Sequence, residues 1–223
     1  VRGNTLDGVK KQAELLVNDI KTSNLSYAYP ILIGEEIDKA VELRKAGLGL
    51  LGNIIGDEKS AACIEDTAVT LPDLANYISE FTQLMKSHNQ RAIYYAHAGA
   101  GELHLRPILN LKTSKGVSDF RKITTDVAHL VKKYKGSMSG EHGDGRLRGE
   151  FIKFMVGEHN YGLLRQIKES WDPQNIFNPG KIIDTPPMDT SLRYTAGQET
   201  PEIKTYYDWS RFNGVVRAAE QCN

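Results

Sequence analysis

The 223-residue chain is 40% hydrophobic and 25% charged, an ordinary composition for a globular protein. Its 28 basic and 28 acidic residues balance, which leaves no cationic surplus for a nucleic-acid backbone. No apolar run approaches the roughly 20 residues of a membrane span, and no signal-peptide pattern opens the chain, so the expected compartment is the cytoplasm.

The cysteines, Cys63 and Cys222, lie far apart and form no paired motif, which argues against a disulfide framework and a cysteine zinc site. Both ends read as cut close to amphipathic patterns, so the chain is expected to be a fragment. Thr5 or Asp7 caps a first predicted helix, with Val9, Ala13, Leu16, Val17 and Ile20 on one stripe. Residues 27–33 read as β-like, punctuated by Pro30. Glu35 and Glu36 open a second helix where its dipole favours acids. Ile37, Ala40, Val41 and Leu48 form its stripe, and Gly47, Gly49 and Gly52 are expected to break it.

Residues 61–69 predict a strand in which Cys63 is a small buried hydrophobe. Thr70, Pro72 and Asp73 then start the clearest helix, with Leu74, Tyr77, Ile78, Phe81, Leu84 and Met85 on one face. A further helix runs from Ser118, with Ile123, Val127, Leu130, Val131 and Tyr134 facing inward, Gly136 at its C-cap and a short strand at 137–139. Residues 151–155 and 161–171 look helical, Asn178-Pro179-Gly180 makes a tight turn, and 185–208 is an extended linker or surface-hugging tail. A last short helix starts near Asn213. The pattern predicts an α+β fold: an antiparallel sheet with helices on one face, built as two ferredoxin-like halves, then a helical segment and an extended tail.

Residues 91–109 carry the first candidate site, two short strands around a glycine-rich turn with His97 and His104 on either side. A hairpin centred on Ala100-Gly101 sets these histidines directly opposite, with Cβ atoms roughly 4.5–5.5 Å apart. Such a pair suits zinc or manganese, or an acidic ligand. It suits equally well two structural histidines bonded to backbone. In Ser139-Gly140-Glu141-His142-Gly143-Asp144-Gly145, the glycines let both Glu141 and His142 approach one site. Glu141 then completes a His₂-carboxylate set and leaves His142 as a free base, against the alternative of a solvated loop. Arg106 shares strand parity with His104 and can hold a carboxylate from the same face. Arg44, by spacing alone, is an ordinary surface arginine.

His97-Ala-Gly-Ala-Gly-Glu-Leu-His104, Gly140-Glu141-His142-Gly-Asp-Gly and Asp172-Pro-Gln-Asn-Ile-Phe-Asn-Pro-Gly-Lys181 occur in that order. Together they resemble the C-terminal domain of FAD-linked oxidases of the vanillyl-alcohol-oxidase-like superfamily, in the branch of D-lactate, glycolate and D-2-hydroxyglutarate dehydrogenases. Arg44-Lys45-Ala-Gly-Leu and Ile64-Glu65-Asp66 resemble further segments of that domain, and the likeness runs over residues 29–183.

The resemblance implies an FAD-dependent enzyme that oxidises a small D-2-hydroxy acid, with His97, His104 and Glu141 as ligands of a divalent zinc, manganese or iron ion. It implies His142 as the base, Arg44 as a substrate-carboxylate residue and Asn178 beside the flavin. The 2-hydroxyglutarate enzymes carry Thr where this chain has Leu48, Asn where it has Arg106, and a Lys near Ile64. That departure favours a lactate- or glycolate-like substrate. An N-terminal domain holding most of the FAD is implied outside the chain, and Cys222 resembles the approach to a fused iron–sulfur domain.

The implied division is 1–148 as substrate domain with the metal site, 149–184 as the helical segment approaching the flavin, and 185–223 as the linker to the iron–sulfur domain. The expected protein is cytoplasmic, with contact to a membrane only through an electron acceptor, and the fragment alone is expected to be inactive. A metal-dependent hydrolase and a non-catalytic α+β interaction domain are the competing readings.

Overall fold

The computed structural model describes residues 1–221, apart from the side chain of Leu48, so that Cys222 and its expected cluster role lie outside the described residues. The chain divides into two units, residues 1–50 and the chain from Leu51 onward. In the first, α1 (Leu6–Ser23) is capped by Thr5, whose hydroxyl accepts from the Gly8 amide at 3.2 Å. Its predicted stripe is half-buried at Val9, Ala13, Val17 and Ile20, while Leu16 is exposed. The β-like stretch 27–33 is not a strand. Pro30 lacks the amide a ladder needs, and Tyr27, Ile31, Leu32 and Ile33 are exposed. The second helix, α2 (Glu35–Gly52), runs through Gly47 and Gly49 rather than breaking there. Two glycines cost about 1 kcal/mol each, which leaves the helical ladder intact.

The second unit is built on an antiparallel sheet with β4 (Glu102–Leu109) at its centre. Strand β3 (Ala92–His97) pairs with one edge of β4. The other edge takes β2 (Ile64–Ala68), preceded by the two-residue β1 (Lys59–Ser60). Ser137 adds an antiparallel bridge to Ala68, so the lateral order is Ser137, β2, β4, β3. With α3 (Leu74–Ser87) between β2 and β3 and α4 (Ser114–Lys133) before Ser137, this is a split βαβ arrangement. The described residues contain one such sheet.

Strand alternation separates its two faces. Ile64, Leu103, Leu105 and Leu109 turn toward Tyr77, Phe81 and Met85 of α3 and Phe120, Ile123, Val127 and Val131 of α4, forming the core. Tyr77 is satisfied within it by donating to the Thr67 hydroxyl at 3.0 Å. Cys63 joins the same cluster, and burial pushes its thiol up to about 11, in keeping with a small hydrophobe. Helix α4 starts at Ser114 rather than Ser118, because Thr113 caps it by accepting from the Gly116 amide at 3.0 Å. Lys135, at φ 53°, takes the left-handed position expected of Gly136.

The β3–β4 turn closes through a 3₁₀ turn, Ala98–Ala100, and Gly101 at φ 74°. A Cβ on Gly101 would sit 2.1 Å from the Val69 carbonyl oxygen. Replacing Gly101 with alanine therefore combines backbone strain with a backbone clash, and should cost about 2–4 kcal/mol by urea unfolding. Beyond the sheet, α5 (Ile152–Trp171) is broken at Gly157 (φ 83°), which separates the two helical stretches read from the sequence. Asp172 organises the turn after it by accepting from the Ile176 and Phe177 amides at 2.8 and 2.9 Å. The stretch after Thr185 is coil but lies against the unit. Arg121 grips Asp189 at 2.7 Å, and Lys112 and Arg217 share Asp57 at 2.9 and 2.8 Å. It ends in α6 (Val215–Ala219).

Candidate metal and acid–base site

The face of the sheet away from α3 and α4 carries the site. The hairpin register pairs His97 with Glu102 and Tyr95 with His104, so the two histidines are diagonal rather than directly opposite. The turn is centred two residues off the expected register sum, because the 3₁₀ turn and Gly101 take up the chain reversal. A shift of two preserves strand parity, so both rings still lie on one face, with centroids 5.1 Å apart. The Tyr95 ring lies 4.6 Å from that of His104.

Strand β2 supplies the buried acids. Glu65 stands opposite His104, and the register then slips between Glu65 and Thr67, leaving Asp66 as the extra residue of a bulge at φ 79°. The Asp66 carboxylate accepts from the Glu141 amide at 2.9 Å, the His142 amide at 2.8 Å and the Ser139 hydroxyl at 2.5 Å. Its carbonyl accepts from the Gly140 amide at 2.7 Å. Gly140 permits this closeness, since a Cβ there would lie 3.2–3.3 Å from Glu102 and Asp66 atoms. Arg148, also buried, fastens the loop from below by donating to the carbonyls of Gly143 at 2.8 Å and of Glu65.

The loop so held delivers Glu141 and His142 to the histidine pair. Glu141 Oε1 lies 3.6 Å from His97 Nε2, 3.8 Å from His104 Nε2 and 3.3 Å from His142 Nε2. The ligand atoms of His97, His104 and Glu141 lie within 4.8 Å of one another. On the opposite edge, Glu65 Oε1 is 3.8 Å from His104 Nδ1 and 3.9 Å from His142 Nδ1, and Glu65 Oε2 pairs with Arg106 Nη2 at 2.6 Å. The structure therefore brings His97, His104, Glu141, His142 and Arg106 together, the last through Glu65. Asn178 sits exposed in its turn at φ 49°, and no described contact links it to these residues. Arg44 is exposed on α2 in the first unit.

Electrostatics follow from burial. Burial, partly opposed by the Glu65 carboxylate, holds the His104 imidazole below its ordinary pKa and favours its neutral form. Burial, with the Asp66 and Glu141 carboxylates beside it, pushes Glu102 up to about 7. Against its own burial, hydrogen bonds from Glu102, Ser139 and the two loop amides hold Asp66 well below the carboxylate range. Neutral imidazole nitrogens and a carboxylate oxygen crowding one point repel unless a cation or proton lies between them. This donor set fits a divalent ion of zinc, manganese or iron type. Glu65, Asp66, Glu102 and Arg148 were not singled out as site residues from spacing. The available signal was the pair of acids inside an otherwise strand-like run.

Residues 12–182 match the family described as FAD linked oxidases, C-terminal domain. The chain is 36% identical over 194 residues to a D-2-hydroxyglutarate dehydrogenase of Escherichia coli, covering 84% of this chain and 18% of that protein. It is 41% identical over 146 residues to a D-2-hydroxyglutarate dehydrogenase of Haemophilus influenzae, covering 66% and 14%. A D-lactate dehydrogenase of Archaeoglobus fulgidus is 32% identical over 128 residues, covering 57% and 28%. The chain thus spans less than a third of the length of these relatives.

Proposed function

The chain belongs to the family of FAD-linked oxidase C-terminal domains, and from that premise we propose that it is the metal- and substrate-binding part of an oxidoreductase converting a D-2-hydroxy acid to the 2-oxo acid. The observation that carries this reading is the convergence of His97, His104 and His142 Nε2 on Glu141 Oε1. His97, His104 and Glu141 would hold the divalent ion. Bound there, the ion would supply a Lewis acid for the substrate hydroxyl and carboxylate, and a flavin would supply the two-electron acceptor.

His142, left outside that ligand set, takes the hydroxyl proton on Nε2 as the C2–H bond parts with its electron pair and C2–O becomes a carbonyl. Arg106, on the same strand face as His104 and paired with Glu65 through Nη2, is proposed as a substrate-carboxylate contact. Arg44 is proposed as a second carboxylate contact. His97 and His142 stay nearly half exposed, which leaves one side of the site open to a flavin held elsewhere.

We place most of the FAD on a separate N-terminal domain, with Asn178 beside the flavin ring, and an iron–sulfur domain after Cys222. Exposed Ile167, Trp171, Ile176 and Phe177 around that turn support a docked neighbour. Among the described residues no helix is long and apolar enough to cross a membrane. The proposed compartment is the cytoplasm.

The relatives named D-2-hydroxyglutarate dehydrogenase set 2-hydroxyglutarate beside lactate and glycolate as substrates to test. Anaerobic addition of each acid to the flavin-containing protein should bleach the flavin with at least one of them. Stripping with a strong chelator should abolish bleaching, and zinc or manganese should restore it. Metal-dependent ester cleavage without flavin reduction would replace this reading with a hydrolase.

A further inference from the structure

The turn that carries Glu141 and His142 is held from two sides by different groups. Asp66 takes the Glu141 and His142 amides on its carboxylate and the Gly140 amide on its carbonyl, so the backbone is fixed up to the nitrogen of His142. Beyond it come Gly143 at φ 78° and Gly145 at φ 54°, and a Cβ on either would meet nothing within 4 Å. Side-chain packing therefore does not fix this exit, and glycine gives it wide backbone freedom. Arg148 supplies the hold. Its Nη2 donates to the Gly143 carbonyl at 2.8 Å and its Nη1 to the Glu65 carbonyl, so one buried guanidinium ties the residue after His142 to the residue before Asp66. A further contact, from the Ile182 amide to the Gly145 carbonyl at 3.2 Å, comes only later in the turn.

We propose that Arg148 is the positioning residue of His142: it sets the backbone exit from that residue, and so the direction of its side chain, while Glu141 keeps its place through Asp66. The His142 side chain is nearly half exposed, which leaves its aim to the backbone more than to packing. The two carbonyls lie on separate segments and must be met at once, which suits the fixed planar fork of an arginine and not the point charge of a lysine. The guanidinium also stays charged at every working pH, so the hold does not titrate. Asp66 Oδ2 and Asp144 Oδ1 lie 3.8 and 3.9 Å from Arg148 nitrogens, so a lysine there keeps the charge these acids face and loses only the fork. The amide side of the turn thus serves the ligand, and the carbonyl side serves the base.

The inference rests on His142 as the base and Glu141 as a ligand, and its test lets the readings fail separately. In the flavin-containing protein, Arg148→Lys should lower kcat about 10²-fold, the loss expected when a reacting group is misplaced by about 1 Å. KM and zinc affinity should not change. On a His142→Asn background the same exchange should lower kcat no further, because a residue acting through His142 then has nothing to position. An equal loss on both backgrounds would make Arg148 a general support of the fold, and a loss of zinc would make it a support of Glu141; either overturns the proposal. Backbone ¹⁵N relaxation of the metal-free chain reads the hold without activity. In the unmodified protein Gly143 should be as rigid as Glu141 and His142, and a mobile Gly143 overturns the proposal without any variant. In Arg148→Lys the amides of residues 143–145 should gain mobility while those of 141 and 142 do not. If His142→Asn leaves flavin reduction unchanged, the base reading falls, and relaxation still decides whether Arg148 holds the turn.

Discussion

Exchange of His142 for asparagine is expected to lower kcat by about 10²- to 10⁴-fold, the usual loss for a general base, with the divalent ion retained. Its side chain is 45% exposed and lies outside the hydrophobic core, so stability should change by no more than about 0.5 kcal/mol. The backbone amide bond to Asp66 survives the exchange, which keeps Glu141 in place. His97→Ala should behave differently, losing metal and activity together. Stopped-flow flavin reduction alongside metal analysis separates the two classes. Loss of the ion in the His142 variant would make that residue a ligand, and an unchanged rate of reduction would move the base elsewhere.

The site is assembled from segments that differ in how openly the sequence shows them. Strand β4 reads openly: Leu103, Leu105 and Leu109 alternate with Glu102, His104 and Arg106, so one face is core and the other polar. That alternation kept the histidine pair on one face even though the expected register was two residues off. A one-residue error would have buried His104 among leucines. Strand β2 reads poorly. Its bulge hinges on Asp66 adopting a positive φ, which no local propensity announces for an aspartate inside a strand. Glu65 and Asp66 look like interruptions of a β pattern until the loop they hold is in place. Arg148 is equally silent, since the backbone carbonyls it donates to lie 5 and 83 residues away. Propensity also misled at residues 27–33, where β-forming side chains have no ladder to join among the described residues.

The largest structural effect should come from Asp66. It is fully buried, and its carboxylate and carbonyl together bind three consecutive amides, 140–142, and the Ser139 hydroxyl. Asp66→Asn keeps the shape but turns an amide N–H₂ toward donors, and should cost roughly 2–3 kcal/mol. Asp66→Gly leaves the part-buried amides of Glu141 and His142 without their acceptor, a loss of about 2–4 kcal/mol. Glycine also recovers the roughly 1–2 kcal/mol of strain carried by a left-handed residue with a Cβ. Asp66→Ala forfeits the bonds and keeps the strain, so it should be less stable than Asp66→Gly by about that amount. Urea unfolding of the metal-free proteins reads this order directly. Zinc affinity should fall in all three, because Glu141 is held at its backbone by Asp66. Equal stability of the glycine and alanine variants would show that the bulge carries no strain. Near-native stability and zinc affinity in all three would mean that Arg148 and the loop's own turns hold Glu141 and His142 without Asp66.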